Sequence, residues 1–317
     1  MKALYLKDCI IELVNIPKPA RSGDEALIRV DLAGICETDI ELRKGYRSFV
    51  GISGHEFVGT VVGAEDSALL NKRVVADINI SCGECPVCKA GRPKHCRNRQ
   101  VIGISGRSGV FAEYVTIPQS NLLVVPDDVP DERAVFTEPL AAALRIFQQV
   151  DISKDARIAV VGDGKLGLLV ALVLCNRGNV PTVYGRHDNK LAKAACAGAV
   201  VSHASITPPE PFDIVIEATG TPEGFVFARR IVRDEGTIVL KSTYVGKYDL
   251  SLTELVVNEV RLIGSRCGPM DEALALLSTK AIDVESLISA RFPLSEGPAA
   301  FDYAAAPGVL KVLLTMG

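Results

Sequence analysis

The chain has no concentrated block of basic residues. Lys and Arg number 35 against 38 Asp and Glu, a formal charge of −3, so neither nucleic acid nor an anionic membrane surface is an expected partner. It also has no long hydrophobic run. The longest, about Leu166 to Cys175, is too short to span a bilayer. The start, Met1-Lys2-Ala3-Leu4-Tyr5, reads as a first strand and lacks the charged, apolar and small-residue regions of a signal peptide, which makes the cytoplasm the expected location. Tandem repeats and low-complexity segments are missing too. What is present is ordinary globular material: 317 residues, 48% hydrophobic and 23% charged, enough for two domains.

The texture changes along the chain. To about residue 130, short β-type runs (Ala26 to Leu32, Phe57 to Val62, Lys72 to Ile78, Ala112 to Ile117) are separated by Gly, Pro and Asp, which predicts a compact, mainly antiparallel β domain. A helical stretch is expected near Asp131 to Val150. Then Arg157 to Val161 reads as a buried strand, Leu166 to Asn176 as a buried helix, Pro181 to Tyr184 as a strand and Asn189 to Ala197 as a helix. Strands at Phe212 to Ala218 and Gly236 to Leu240 follow. Alternating strands and helices predict an α/β unit, a parallel sheet with helices on both faces. From about Met270 a helix and a last strand, Leu310 to Thr315, are expected to fold back onto the first domain.

Nine cysteines are present. Four of them form the strongest local signal, Cys82-x2-Cys85-x2-Cys88-x7-Cys96. Four thiolates at this spacing can surround one Zn2+ tetrahedrally, leaving no open position, and Gly83, Pro86 and Gly91 suit the turns required. The competing reading is unrelated thiols or a disulfide pair. His95 adjoins a ligand but reads as a surface residue.

A second set is dispersed: Cys36-Glu37-Thr38-Asp39, Gly54-His55-Glu56 and Thr137-Glu138-Pro139-Leu140. One thiolate, one imidazole and one carboxylate make an open zinc site whose fourth position takes water or substrate. Each piece has a plainer reading on its own. Cys36 can be a small buried hydrophobe, His55 a structural residue, and Glu138 a charge at a helix N-terminus.

A third signal, Gly162-Asp163-Gly164-Lys165-Leu166-Gly167, matches the dinucleotide fingerprint and sits where a strand opens into a helix. Gly162 makes the tight turn, Gly164 admits a pyrophosphate, and Gly167 allows close helix–strand packing. The next strand ends in Gly185-Arg186-His187, with no carboxylate where the ribose 2′-hydroxyl of NAD is usually held. A small residue followed by Arg leaves room and charge for a 2′-phosphate, favouring NADP over NAD. Asp188 is the competing ribose carboxylate.

Taken in order, Cys36, Gly54-His55-Glu56, the Cys82 to Cys96 knuckle and Gly162 to Gly167 resemble the zinc-containing medium-chain dehydrogenases (alcohol, sorbitol, threonine and glucose dehydrogenases). Gly106 to Tyr114, Phe212 to Gly220 and Gly264 to Gly268 fit the same pattern, so the resemblance spans the chain. It implies a GroES-like, mainly β catalytic domain over residues 1–138, with 270–317 returning to it. A Rossmann nicotinamide-binding domain would occupy residues 139–269. It implies a catalytic zinc on Cys36, His55 and Glu138, with Glu56 beside it or as an alternate ligand. Asp39 would lie behind the His55 ring, Thr38 would take the substrate proton, and a structural zinc would sit on Cys82, Cys85, Cys88 and Cys96. Cofactor contacts are implied at Gly162, Gly164, Lys165, Leu166, Gly167, Gly185, Arg186, Thr219, Arg266 and Lys311, the last with a solvated surface lysine as the rival reading. The implied reaction is hydride transfer between an alcohol, polyol or sugar and NADP or NAD, in a homodimer or homotetramer. A zinc-free quinone or enone reductase and a non-enzymatic NADP-binding sensor on the same fold are the alternatives. One departure stands out: Glu41 occupies a position where some relatives carry a relay histidine. Tyr46, Phe49 and the Lys241-Ser242-Thr243 turn are further pocket candidates.

Overall fold

A computed structural model describes residues 1–243 and 251–317. Its contacts divide the chain into two compact units. One comprises Met1–Glu138, Met270–Thr279 and Ile288–Gly317; the other comprises Pro139–Pro269 and Lys280–Leu287. Among the described residues no helix is long and apolar enough to cross a membrane.

The first unit is built around the strand Glu25–Ile35. Its first half alternates, with Ala26, Ile28, Val30 and Leu32 buried while Arg29 stays in solvent, the two-residue period of a strand with one face on a core. Beyond Leu32 both faces are covered. On one side runs the antiparallel strand Glu56–Gly63, with Gly34 opposite Glu56. On the other runs Lys311–Thr315, with Leu313 opposite Gly34. This register brings the ends of three strands remote in sequence to one place. Most pairings here are antiparallel, as expected, but Ile288–Pro293 joins Lys311–Thr315 in parallel. A separate three-stranded sheet, Asn79–Ile80, Gln100–Ile102 and Gly106–Arg107, brackets the four-cysteine segment.

The second unit is a six-stranded sheet in the order Val200–His203, Thr182–Gly185, Ile158–Val161, Phe212–Glu217, Val232–Leu240, Arg261–Gly264. Every described pairing in it is parallel. In chain order this is 3-2-1-4-5-6, the doubly wound arrangement whose ligand crevice lies where the winding reverses, beyond the carboxyl end of the first strand. That strand, Ile-Ala-Val-Val, is buried throughout. The helix that follows, Lys165–Asn176, buries every residue from Gly167 to Leu174, each large aliphatic contributing about 1.5–3 kcal/mol.

The single helical stretch expected over 131–150 is instead three pieces: Asp131–Ala134, Thr137–Leu144 and a 3-10 turn at Arg145–Gln148. Pro139 is the reason. It has no N–H to donate to the Val135 carbonyl, so it is tolerated only in the first turn of a new helix. Thr137 closes the earlier piece by donating its hydroxyl to the Ala134 carbonyl at 2.6 Å. The break leaves Glu138, the last residue of the first unit's long segment, in a first helical turn.

Candidate metal and cofactor sites

The Cys82 to Cys96 segment wraps its four sulfurs together. Sγ–Sγ distances are 3.5 Å for Cys85–Cys88, 3.9 Å for Cys85–Cys96 and 3.4 Å for Cys82–Cys96. A tetrahedron with Zn–S near 2.3 Å has edges of roughly 3.8 Å, so this spacing suits a zinc ion. Backbone amides prepare the thiols for it. Those of Cys82 and Asn98 donate to Cys96 Sγ at 3.4 and 3.3 Å, and the amides of Arg97 and Cys88 foremost lower the Cys85 thiol to about 6. Burial, with the neighbouring thiols, pushes Cys88 up to about 12. Four thiols this close cannot all ionise unless a cation offsets them. His95 is exposed, as the sequence suggested.

The second cluster lies at the strand ends described above. Cys36 caps the helix Glu37–Arg43, and Asp39, at its third position, reaches back in a capping box. Asp39 is fully buried, and its two oxygens accept from the backbone amides of Cys36 (2.9 Å) and Gly54 (3.0 Å). One carboxylate thus ties together the two chain segments that carry Cys36 and His55. It lies on the expected side of the imidazole, but at 3.6 Å from His55 Nδ1, too far for a hydrogen bond. Thr38 Oγ1 is 3.9 Å from Cys36 Sγ.

Donor atoms of Cys36, His55 and Glu56 all lie within 4.8 Å of one another. Glu56 Oε2 accepts from Lys311 Nζ, but Glu56 Oε1 is buried with no hydrogen-bond partner; His55 Nδ1, also unpartnered, is the ring nitrogen that faces Asp39. Unsatisfied lone pairs in a buried site cost free energy unless something occupies them. A thiol, an imidazole and a carboxylate are a donor set that zinc accepts. The residues present therefore fit a metal ion. Glu138 stands outside this tight trio, yet it acts on the same charges. Burial foremost, then Glu56 and Asp77, pushes its carboxyl up to about 7 against the pull of His55 and Lys311. His55 responds to the same field: burial works against its charge, but Asp39, Cys36 and Glu138 hold the imidazole well above its usual pKa.

Lys311 is not on the surface. It is 1% exposed, paired with Glu56, and its ammonium sits 5.5 Å over the Phe136 ring. Burial opposes its charge, while Glu56 foremost among the anions, with Cys36 and Glu138, holds the ammonium above the ordinary lysine value. Gly34 makes room for the pair: a Cβ there would fall 2.8 Å from Glu56 Oε2 and 3.2 Å from Lys311 Cδ. Glu41 is engaged with Lys44 at 2.8 Å.

In the second unit the Gly-rich turn has the geometry its residues predict. Gly162 takes φ +121°, and a Cβ on it would meet the Ala218 carbonyl oxygen at 2.7 Å; on Gly167 it would meet the Gly162 carbonyl oxygen at 2.1 Å. Gly164, by contrast, faces open space and caps the helix Lys165–Asn176 with no side-chain hydrogen bond. A helix N-terminus left bare above an open glycine suits a pyrophosphate. Lys165 and Leu166 form the first turn of that helix. Thr219 folds inward, donating its hydroxyl to Glu217 at 2.6 Å. Arg266 is exposed, and Lys241, buried, donates to the carbonyls of Ala142 and Arg266. Asp188 is the exposed first residue of the helix Asp188–Cys196. The carboxylate at the end of the second strand is Asp163, from the middle of the Gly-rich motif. Its Oδ2 accepts from the amides of Arg186 (2.7 Å) and His187 (2.8 Å) and bonds His187 Nδ1 at 2.9 Å. Sequence reasoning missed this link, because the motif leaves the residue type at that position free.

A β unit with two metal-suited clusters, joined in one chain to a dinucleotide fold, defines a class: a metal-binding, dinucleotide-linked two-unit protein. The comparisons with known proteins narrow it. The alcohol dehydrogenase GroES-like domain family matches residues 22–127. D-altritol 5-dehydrogenase of Agrobacterium fabrum is 30% identical over 303 residues, covering 90% of each chain. Among solved structures, a zinc-binding dehydrogenase, so designated, of Sinorhizobium meliloti 1021 bound to NADP is 32% identical. It superposes with a TM-score of 0.90 over 99% of this chain and 98% of its own. An alcohol dehydrogenase from Escherichia coli CFT073 complexed with NADH is 27% identical, with a TM-score of 0.92 over 100% and 99%. The chain belongs to the zinc-type medium-chain dehydrogenase family.

Proposed function

We propose that this chain is a zinc-dependent oxidoreductase that moves a hydride between an alcohol, polyol or sugar substrate and NADP, with NAD as the second choice. The observation that carries the reading is the trio Cys36, His55 and Glu56, half-buried at the thiol and buried at the other two, with the unsatisfied Glu56 Oε1, in a chain that also has a complete dinucleotide cradle at Gly162 to Gly167. On this reading residues 1–138 with 270–317 are the catalytic domain and residues 139–269 the cofactor domain. Cys36, His55 and Glu138 hold the catalytic zinc, with Glu56 as a further carboxylate within reach. Cys82, Cys85, Cys88 and Cys96 hold a closed structural zinc.

When bound, the metal supplies Lewis acidity to a substrate oxygen and the nicotinamide supplies the hydride chemistry. The chain's own residues do the rest. Asp39 fixes the backbone of Cys36 and Gly54, and so the positions from which the thiolate and imidazole act. The Thr38 hydroxyl relays the proton released by an alcohol, taking it on its oxygen as its own proton leaves toward solvent. Lys311 offsets the charge of Glu56 inside the site. The glycines at 162, 164 and 167 admit the cofactor's phosphates to the helix N-terminus. The polyol side of the substrate range is favoured because the site carries Glu138, and because relatives at similar distance include D-altritol, D-arabitol-phosphate and sorbitol dehydrogenases. We place the protein in the cytoplasm as a homodimer or homotetramer. A zinc-free reductase or a non-enzymatic sensor on this fold would have no use for the Cys36 cluster.

The test is turnover by zinc-replete protein on a panel of alcohols, polyols and aldoses, with NAD and NADP assayed separately. Reduction of cofactor by at least one polyol, faster with NADP, is the expected result. Inactivity on the whole panel with both cofactors overturns the reading.

A further inference from the structure

The turn after the second strand of the dinucleotide sheet is fastened by a residue that the cofactor motif does not specify. Asp163 is 8% exposed, and three donors converge on its Oδ2: the amides of Arg186 and His187 and the His187 ring. Burial alone would raise its pKa; these donors, led by the Arg186 amide, hold it below the usual carboxylate range. The arrangement dictates its neighbour as well. A Cβ on Gly185 would lie 2.6 Å from Asp163 Oδ2 and 2.7 Å from Asp163 Cβ, so the carboxylate occupies the volume that any side chain at 185 would need.

Two consequences follow for a ligand at this strand end. With three donors on Oδ2, Asp163 has only its second oxygen left for a ribose hydroxyl, and much of its negative charge is offset within the protein. Meanwhile Arg186 contributes its amide to Asp163 and leaves its side chain exposed. Among the described residues its guanidinium has no hydrogen bond or ion pair. A free guanidinium on a turn pinned at two successive amides is a preorganised anion receptor, and Arg suits phosphate through its planar fork of donors.

We propose that Asp163 is the positioning residue for cofactor choice: it holds the Gly185-Arg186-His187 turn so that Arg186 and His187 receive the 2′-phosphate of NADP. This rests on the dinucleotide-binding reading of the Gly-rich turn. It explains why the motif's variable position carries an acid, and why position 185 carries no side chain.

The test uses the full chain and two probes that need no turnover, adenosine 2′,5′-bisphosphate and adenosine 5′-monophosphate, titrated calorimetrically. Wild-type protein is expected to bind the bisphosphate at least about tenfold more tightly, and Arg186→Ala to erase most of that ratio. Asp163→Ala is expected to cut the ratio by about tenfold through the bisphosphate alone, leaving monophosphate affinity within about twofold. Asp163→Asn, which keeps one acceptor oxygen, should fall between, and serves if the alanine variant does not fold. An equal loss for both probes assigns Asp163 a merely structural role and overturns the proposal. So does tighter bisphosphate binding by Asp163→Ala, which would mean that the carboxylate repels phosphate and favours NAD. A wild-type protein indifferent to the 2′-phosphate defeats the NADP reading and the proposal together. A wild-type preference that survives Asp163→Ala defeats the proposal alone.

Discussion

The two cysteine-containing clusters of the β unit differ in how completely they satisfy themselves. The knuckle is local, built from four like ligands within one short stretch, and its sulfurs are surrounded by each other and by backbone amides. The Cys36 cluster is assembled from a helix cap, a strand start and a final strand, with Glu56 and Lys311 separated by 255 positions. It keeps a buried carboxylate oxygen, Glu56 Oε1, without a partner. Four like donors around one point leave a metal no vacancy, so such a site can only stabilise. A mixed set with an unmet oxygen and a buried ion pair leaves a position for chemistry, at a cost in stability that the surrounding strands must bear.

The sharpest way to break that comparison is to remove one ligand from each side. Cys36→Ala should lower kcat/KM by roughly 10³-fold or more, on the order of 4 kcal/mol of transition-state stabilisation. Metal content should fall from about two zinc per chain to about one, and the melting temperature should stay within a few degrees. Metal analysis alongside steady-state kinetics and thermal unfolding reads all three. Retained activity with one zinc lost would mean that the open cluster is not catalytic. Cys85→Ala should do the reverse. We expect one zinc lost and a destabilisation of about 3 kcal/mol, seen as a melting temperature lower by several degrees, while the folded fraction still turns over substrate. Equal damage to turnover and stability from both variants would erase the distinction between a closed and an open site.

The same contrast governs what could be read from the sequence. The knuckle was legible because its ligands and glycines are contiguous, and the Gly-rich turn because its spacing sits between a strand and a helix. Cys36, His55 and Glu138 could be proposed only jointly; the structure groups Cys36 and His55 with Glu56, and the sequence could not rank Glu56 against Glu138. Their relative reach depends on the break before Pro139 and on the register that sets Gly34 opposite Glu56. The place of Lys311 carried no local signal at all, since its partner is brought by strand pairing. In the cofactor unit the central strands were evident as apolar runs. The edge strands Val200–His203 and Arg261–Gly264 were missed because they are short and largely exposed, and so lack the buried pattern that marks the centre. The helix Pro222–Ile231, missed as well, did carry a usable start signal: Thr221 as its cap, accepting from the Gly224 amide, with Pro222 next to it.

A finer division between the clusters comes from Asp39, which serves one of them only. Both of its oxygens face backbone amides, those of Cys36 and Gly54. Asn at this position must therefore turn its NH2 toward one of those N–H groups, whichever way the amide is flipped, and one donor loses its acceptor. Leaving a buried donor unmet costs about 1–3 kcal/mol, and the slack falls on the backbone that presents Cys36 and His55. Loss of support behind metal ligands typically costs 10–100-fold in metal affinity or activity, so Asp39→Asn should weaken catalytic zinc retention or kcat/KM by about that factor. The knuckle shares no hydrogen bond with Asp39 among the described residues, so its zinc should survive dialysis against a chelator as it does in wild type. Element analysis before and after such dialysis, paired with kinetics in added zinc, checks it. Loss of both metals together would show that the two clusters do not stand independently. An unchanged catalytic zinc would show that the capping-box carboxylate does not govern the geometry of the ligands it tethers.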